Sequence, residues 1–208
     1  MAQERNPFST CYTAPGCVPF LVGVSPAEAD ALFARLHAQW IASGRVGAIV
    51  GPHGCGKSTL LASLQGAWAR SYAYRVTNIA LHDGQRTLPT EFWQRDFQEQ
   101  DLVIVDGHEQ LGWRARWQLH RLRRRTACGL LVTTHAECRL PTLQRVEPSY
   151  ESLLAVVRRL LEPLRDSPRA ESFIERHVPA AWQQTGANAR ETLFRLYDCW
   201  EAEVCVAS

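Results

Sequence analysis

Lysine is nearly missing from this chain. Of its 23 Lys plus Arg residues one is lysine, Lys57, and every other is arginine. That lysine stands inside Gly51-Pro-His-Gly-Cys-Gly-Lys-Ser58, a slot that random placement among the basic positions would reach about once in 23. Lysine offers a compact ammonium on a flexible stem that can curl over phosphates, whereas the guanidinium is a bulkier planar fork. Other absences narrow the class further. The seven cysteines are odd in number and no two form a Cys-x-x-Cys pair, which argues against a disulfide framework and against a zinc knuckle. Reduced thiols and a cytoplasmic protein are the expectation. Long apolar runs are missing too: Val18 to Val24 is far too short to span a membrane, and the first residues lack the charged-then-apolar pattern of a secretory signal. A net charge of only +2 implies no bulk pull toward nucleic acid or membrane. There is neither an internal repeat nor a low-complexity tract. What is present is 208 residues, 46% of them hydrophobic, enough to bury the core of one medium domain with a small appendage.

The pattern along the chain alternates between strand and helix. Residues 1–25, punctuated by proline, read as an extended N-terminal arm. Ser25-Pro26-Ala-Glu28 reads as an N-cap, a proline at the first helical position and an acid in the first turn, opening a helix to about Ala42 that Ser43-Gly44 stops. Val46–Val50 is a buried strand feeding the glycine loop, and a helix follows from Lys57 to about Arg70. Tyr74 to Leu81 reads as a second strand and Thr90 to Gln98 as helical, with Phe92, Trp93 and Phe97 apolar. Leu102-Val-Ile-Val105 is a continuous apolar run ending at Asp106, as a strand buried on both faces requires. Leu111, Ala115, Leu119 and Leu122 recur at helical spacing; Gly129-Leu-Leu-Val132 ends in Thr133-Thr134-His135, and Thr142 to Val146 reads as a fifth strand. From Tyr150 onward the pattern is helical only, with a break at Arg165-Asp-Ser-Pro168. Alternating strands and helices demand crossover connections, hence a parallel α/β sheet followed by a helical tail. The expected division is an arm over 1–25, a core over 26–148 and a helical lid over 149–208.

The glycine loop carries the chemistry. Gly51, Gly54 and Gly56 let the backbone turn its N–H groups inward, as phosphate oxygens require, and the helix opening at Lys57 adds its positive dipole end. Lys57 would reach the β- and γ-phosphates and the Ser58 hydroxyl would ligate magnesium. The cofactor-binding set is therefore Gly51, Pro52, His53, Gly54, Cys55, Gly56, Lys57, Ser58 and Thr59, with ATP and Mg2+ as ligands. Cys55 reads as a small loop side chain, with a redox switch as the alternative.

Asp106 stands where a carboxylate after a buried strand would hold magnesium. The residue that would polarise an attacking water is Glu109, in Asp106-Gly-His-Glu109-Gln-Leu, with His108 or a purely structural role for Glu109 as alternatives. The Thr133-Thr134-His135 strand end, Thr134 in particular, would contact the γ-phosphate or that water; an ordinary turn is the alternative. Lys57, Asp106, Glu109 and Thr134 form the expected catalytic set.

Together these motifs resemble the ASCE branch of P-loop NTPases, and AAA+-like ATPases in particular. The resemblance covers most of the chain and implies a five-stranded parallel sheet of order 5-1-4-3-2 with a C-terminal helical lid. Asn6-Pro7-Phe8-Ser9 is similar to an element of AAA+ ATPases of the transposition and secretion-accessory kind, whose arm helps to enclose adenine. Asp106-Gly-x-Glu109 resembles signalling ATPases with an acid three residues after the Walker B Asp. Thr185-Gly-Ala-Asn188-Ala-Arg190-Glu191 resembles the sensor-2 segment of the lid, implying that Arg190 reaches the γ-phosphate; the family often has a second glycine where Ala187 stands, and Asn188 as a helix cap is the plain reading. The combination is also similar to small stand-alone bacterial AAA-like proteins. Gly107 departs from the many relatives with Glu at that position, and no Leu-Ser-Gly-Gly-Gln segment is present, against an ABC transporter subunit. The expectation is a Mg-dependent ATPase of slow turnover, coupling nucleotide state to a partner. A nucleotide-binding switch or DNA-associated loader and a small-molecule or nucleotide kinase are the alternatives. A ring-type self-association would need an arginine finger, for which Arg145 and the arginines over 121–125 are candidates.

One further segment stands out. Trp113-Arg-Ala-Arg-Trp117-Gln-Leu-His-Arg121-Leu-Arg-Arg-Arg125 places six arginines and two tryptophans on one expected helix. It reads either as an amphipathic helix with solvated arginines, as a surface for a partner, or as a nucleic-acid surface.

Overall fold

The computed structural model describes residues 6–20, 24–165 and 167–207. Residues 1–5 and 21–23 of the arm, Asp166 in the helical break and Ser208 lie outside the described residues. In chain order the elements are α1 Thr10–Thr13, α2 Pro26–Ala42, β1 Val46–Val50, α3 Lys57–Tyr72, β2 Arg75–Ala80, α4 Thr90–Trp93, β3 Asp101–Asp106, α5 Trp113–Thr126, β4 Gly129–Thr134, β5 Thr142–Arg145, α6 Tyr150–Leu160, α7 Pro168–Gln184 and α8 Ala189–Ala207. They form two compact units, one of Ser25–Pro52 and Leu60–Val146, the other of Met1–Val24, His53–Thr59 and Glu147–Ser208.

The first unit holds the sheet. All five strands run parallel in the order β2-β3-β4-β1-β5, the order the resemblance implies. The apolar runs of β1, β3 and β4 occupy its three central positions, where both faces are covered. One face packs Val46, Ala48, Val103, Val105, Leu130 and Val132 against Ala115 and Leu119 of α5 and Phe92 of α4. The other receives α2, whose Trp40 lies over Gly129 where a Cβ would collide with the indole, and donates its Nε1 hydrogen to the Leu130 carbonyl at 3.1 Å. Trp68 of α3 donates to the Phe33 carbonyl of α2 at 3.1 Å, tying these two helices together. Helix α2 begins with a full capping box, in which Ser25 and Glu28 satisfy each other's backbone N–H groups.

The segment Thr90 to Gln98 is not a helix of that length. Only one turn forms, because Phe92 and Phe97 both enter the sheet-facing core, with ring centroids 4.9 Å apart, and five residues of continuous helix would point them in different directions. Trp93, the third apolar residue of the segment, is left 36% exposed.

The second unit is a helical cluster. Phe8, Leu153, Val157, Phe173, Val178, Leu196 and Trp200 form its core, with Phe8 stacked on Phe173 at 5.5 Å and edge-on to Trp200 at 6.0 Å. The described arm is not simply extended: α1 is one helical turn, and Asn6 clips the chain to α8. Its Nδ2 donates to the Tyr197 carbonyl at 3.0 Å and to Glu201 Oε1 at 2.8 Å, while its Oδ1 accepts from Phe8 N at 2.9 Å. The Asn-Pro-Phe element thus supplies a ring and a carboxamide to the C-terminal helices. Among the described residues no helix is long and apolar enough to cross a membrane.

Candidate functional site

The loop between β1 and α3 is set by backbone conformation. Gly51 continues the β1–β4 ladder, donating its N–H to the Thr134 carbonyl at 3.1 Å. Beyond it Gly54 and Gly56 take left-handed φ values of +72° and +97°, which flank Cys55 and curl the chain into a concave turn before α3 begins at Lys57. Such alternation aims successive amides to one side, a geometry that suits anions. At Gly54 a side chain is excluded twice, by φ and by space, because a Cβ would run into Asn188 Oδ1. Lys57, at the first position of α3, is buried at 7% exposure. Pro52 and His53 are exposed, and Cys55, Ser58 and Thr59 are half-buried. Burial pushes the Cys55 thiol up, with Lys57 opposing only in part, so the group stays a thiol at neutral pH. Phe20 of the arm lies beside Gly56, 3.5 Å from where a Cβ would stand; nothing in the sequence singled it out.

Asn188 caps α8, its Oδ1 accepting from Glu191 N at 3.2 Å, and so brings the first turn of α8 against the loop at Gly54. Arg190 is exposed on that turn. Ala187 just before it adopts φ +64°, a conformation that costs a residue with a Cβ roughly 1 kcal/mol and explains the glycine the family often has there.

At the carboxyl ends of the sheet strands a second group of residues assembles. Asp106 closes β3, and its Oδ1 accepts a hydrogen bond from the Thr133 hydroxyl of β4. The same hydroxyl accepts from Gly107 N at 2.8 Å. Asp106 Oδ2 stays without a hydrogen-bond partner among the described residues, so one oxygen is fixed and the other is open to a ligand. Thr134, whose side chain leaves the strand on the opposite face, donates its hydroxyl to the Ala136 carbonyl at 2.9 Å.

Gly107 shows why no glutamate adjoins Asp106. Its φ is +83°, and a Cβ there would sit 3.1 Å from the Leu81 carbonyl oxygen. The chain instead turns through a short 3-10 segment, His108–Gln110, that presents Glu109. Glu109 Oε1 is 3.1 Å from His135 Nδ1, just past the end of β4, and its backbone carbonyl accepts from Arg116 Nη2 at 2.7 Å. Its second oxygen, Oε2, is buried without a hydrogen-bond partner among the described residues. His108 points into the interior at 4% exposure; burial first, then Arg116 and His120, pushes its pKa down to about 4. It is neutral at pH 7, and its ring is turned into the core, away from solvent. Arg145 is engaged by Glu137 in an exposed ion pair. Among the described residues no cluster of three or more His, Cys, Asp or Glu forms a self-contained metal site.

No protein-family model and no curated protein matches the chain. Solved structures do. The chain is similar to a mutant of RuvB from Thermotoga maritima, at TM-score 0.55 and 13% identity, over 89% of this chain and 65% of that one. It is also similar to a chain of Drosophila ORC bound to DNA, at TM-score 0.59 and 17% identity, over 92% of this chain and 58% of that one. The chain thus spans under two thirds of either. Both are AAA+ P-loop ATPases, and the fold of this chain is AAA+-like.

Proposed function

We propose that the chain binds Mg-ATP at the loop between β1 and α3 and hydrolyses it slowly, using nucleotide state to bias a partner. One observation carries the reading: the concave turn made by Gly54 and Gly56 leads straight into the buried Lys57 at the head of α3. In this reading the loop amides and Lys57 bind and orient the β- and γ-phosphates, with Thr59 and the small Cys55 lining the turn. Ser58 and Asp106 would hold magnesium, which would supply positive charge against the phosphate oxygens. The open Oδ2 of Asp106 fits that role, and magnesium needs few protein ligands because phosphates and waters complete its shell. Thr133 holds the Asp106 carboxylate in orientation.

Glu109 is the base that takes the proton of the attacking water. Its orphaned Oε2 is the acceptor, and His135 fixes the other oxygen. Arg190 at the head of α8, and Thr134, complete the set of γ-phosphate groups. Because the acid is reached across a turn instead of standing directly beside Asp106, turnover is slow. The test pairs a titration of fluorescent ATP with a phosphate-release assay, each with and without Mg2+. Magnesium-dependent binding with measurable phosphate release supports the proposal; no binding at millimolar ATP contradicts it. Binding without release would leave a nucleotide-state switch in place of an ATPase.

A further inference from the structure

Helix α5 divides its arginines into two groups. Arg116 and Arg123 turn toward the fold, donating to the Glu109 and Gly44 carbonyls. Arg114, Arg121, Arg124 and Arg125 turn outward, and none of the four pairs with a carboxylate among the described residues. Beside them stand Trp113, 74% exposed, and Trp117, 56% exposed, one helical turn apart. An arginine lies over each indole: Arg114 over Trp113 at 5.2 Å and Arg121 over Trp117 at 5.4 Å. The buried side of the helix is carried by Ala115 and Leu119, with Leu122 partly buried beside them, so the tryptophans are not needed for its packing. Dipole complementarity accounts for basic residues in the last turn, but not for Arg114, Arg121 or the two indoles.

We infer that the outward face of α5 binds single-stranded nucleic acid. The face has no acid and no aliphatic side chain; its residues are tryptophan, arginine and one glutamine, Gln118. Arg114, Arg121 and Arg125 share one stripe of the helix, with Arg124 to one side, and together they match the charge of a phosphate backbone. Flat indoles, each with a guanidinium over one side, offer the other side to a base, and stacking of this kind tolerates any sequence. A duplex cannot use them, because its bases are already stacked on each other. From Trp113 to Arg125 the face is about 18 Å long, room for bases at one end and phosphates at the other. This reading stands apart from the nucleotide site and needs no ATP.

The experiment is fluorescence anisotropy of the full chain, without nucleotide, against labelled oligothymidine and oligouridine of about 20 nucleotides, from about 50 to 200 mM salt. Binding to either strand that weakens with salt is expected. Trp113→Ala with Trp117→Ala should weaken it by about tenfold or more, while the two Trp→Phe changes keep most of it. Arg121→Ala with Arg124→Ala should lower the slope of log affinity against log salt by about 1.4. Three results would overturn the inference: no binding at the lowest salt, equal or tighter binding of the matching duplex, or alanine variants of the tryptophans that bind as wild type. A change confined to particle mass in those variants would also overturn it, assigning the face to a second copy of the chain.

Discussion

The loop after β1 and the turn after β3 each begin at the carboxyl end of a buried strand, and each uses a left-handed glycine. Their chemistry is carried differently. In the loop the proposed working groups are backbone amides, so Gly54 must lack a side chain and Cys55 need only be small. In the turn the proposed working group is one carboxylate, Glu109, and its placement depends on His135 from beyond β4 and Arg116 from α5. A site built from backbone is written in a few adjacent letters. A site built from a side chain depends on partners distant in sequence.

Breaking the turn without touching the loop should separate turnover from binding. Glu109→Gln keeps the size and the contact to His135 but removes the base, and phosphate release should fall by about 10² to 10⁴ while ATP affinity is unchanged. Full activity in that variant would place the base elsewhere.

His108 supports the turn from below, and its effect is read in stability. A buried neutral histidine with pKa about 4, against the unfolded value near 6.5, favours the fold fully above that unfolded value and loses its contribution as pH falls toward 4. The loss between pH 7 and pH 5 is about 2 kcal/mol in urea unfolding, and His108→Leu should flatten that part of the profile. An unaltered slope would show that other groups set it. His135→Ala removes one hydrogen bond to a charged group, so kcat should drop by about tenfold with KM little changed, and His135→Gln should restore part of it. An altered KM alone would assign His135 to binding. The smallest effect belongs to the loop side. Ala187→Gly relieves the left-handed alanine before α8 and, after the entropy that glycine adds to the unfolded chain, should raise Tm by about 1–3 °C. A lower Tm would mean that the turn is not strained.

The same distinction decides how much could be read from the letters. The three central strands, the glycine loop and Asp106 were legible because apolar runs and glycine spacing are local signals; the parallel direction followed from the alternation of strands and helices, whereas the strand order came only with the family resemblance. Thr133 was not separable from Thr134: both end β4, and only the pleat decides which one faces Asp106. Phe20 and the pairing of Asn6 with Glu201 join residues far apart in the chain, beyond any periodicity. The shortness of α4 was hidden for a related reason, since two phenylalanines five residues apart satisfy helix spacing poorly but share one core.

The central claim is that Lys57, the lone lysine, holds the phosphates of ATP. Isothermal titration of Mg-ATP into the wild-type chain and Lys57→Ala tests it most directly. Loss of charged hydrogen bonds worth about 3 kcal/mol predicts affinity weakened by about 150-fold, enough to remove measurable heat. Equal affinity in the two proteins would contradict the account.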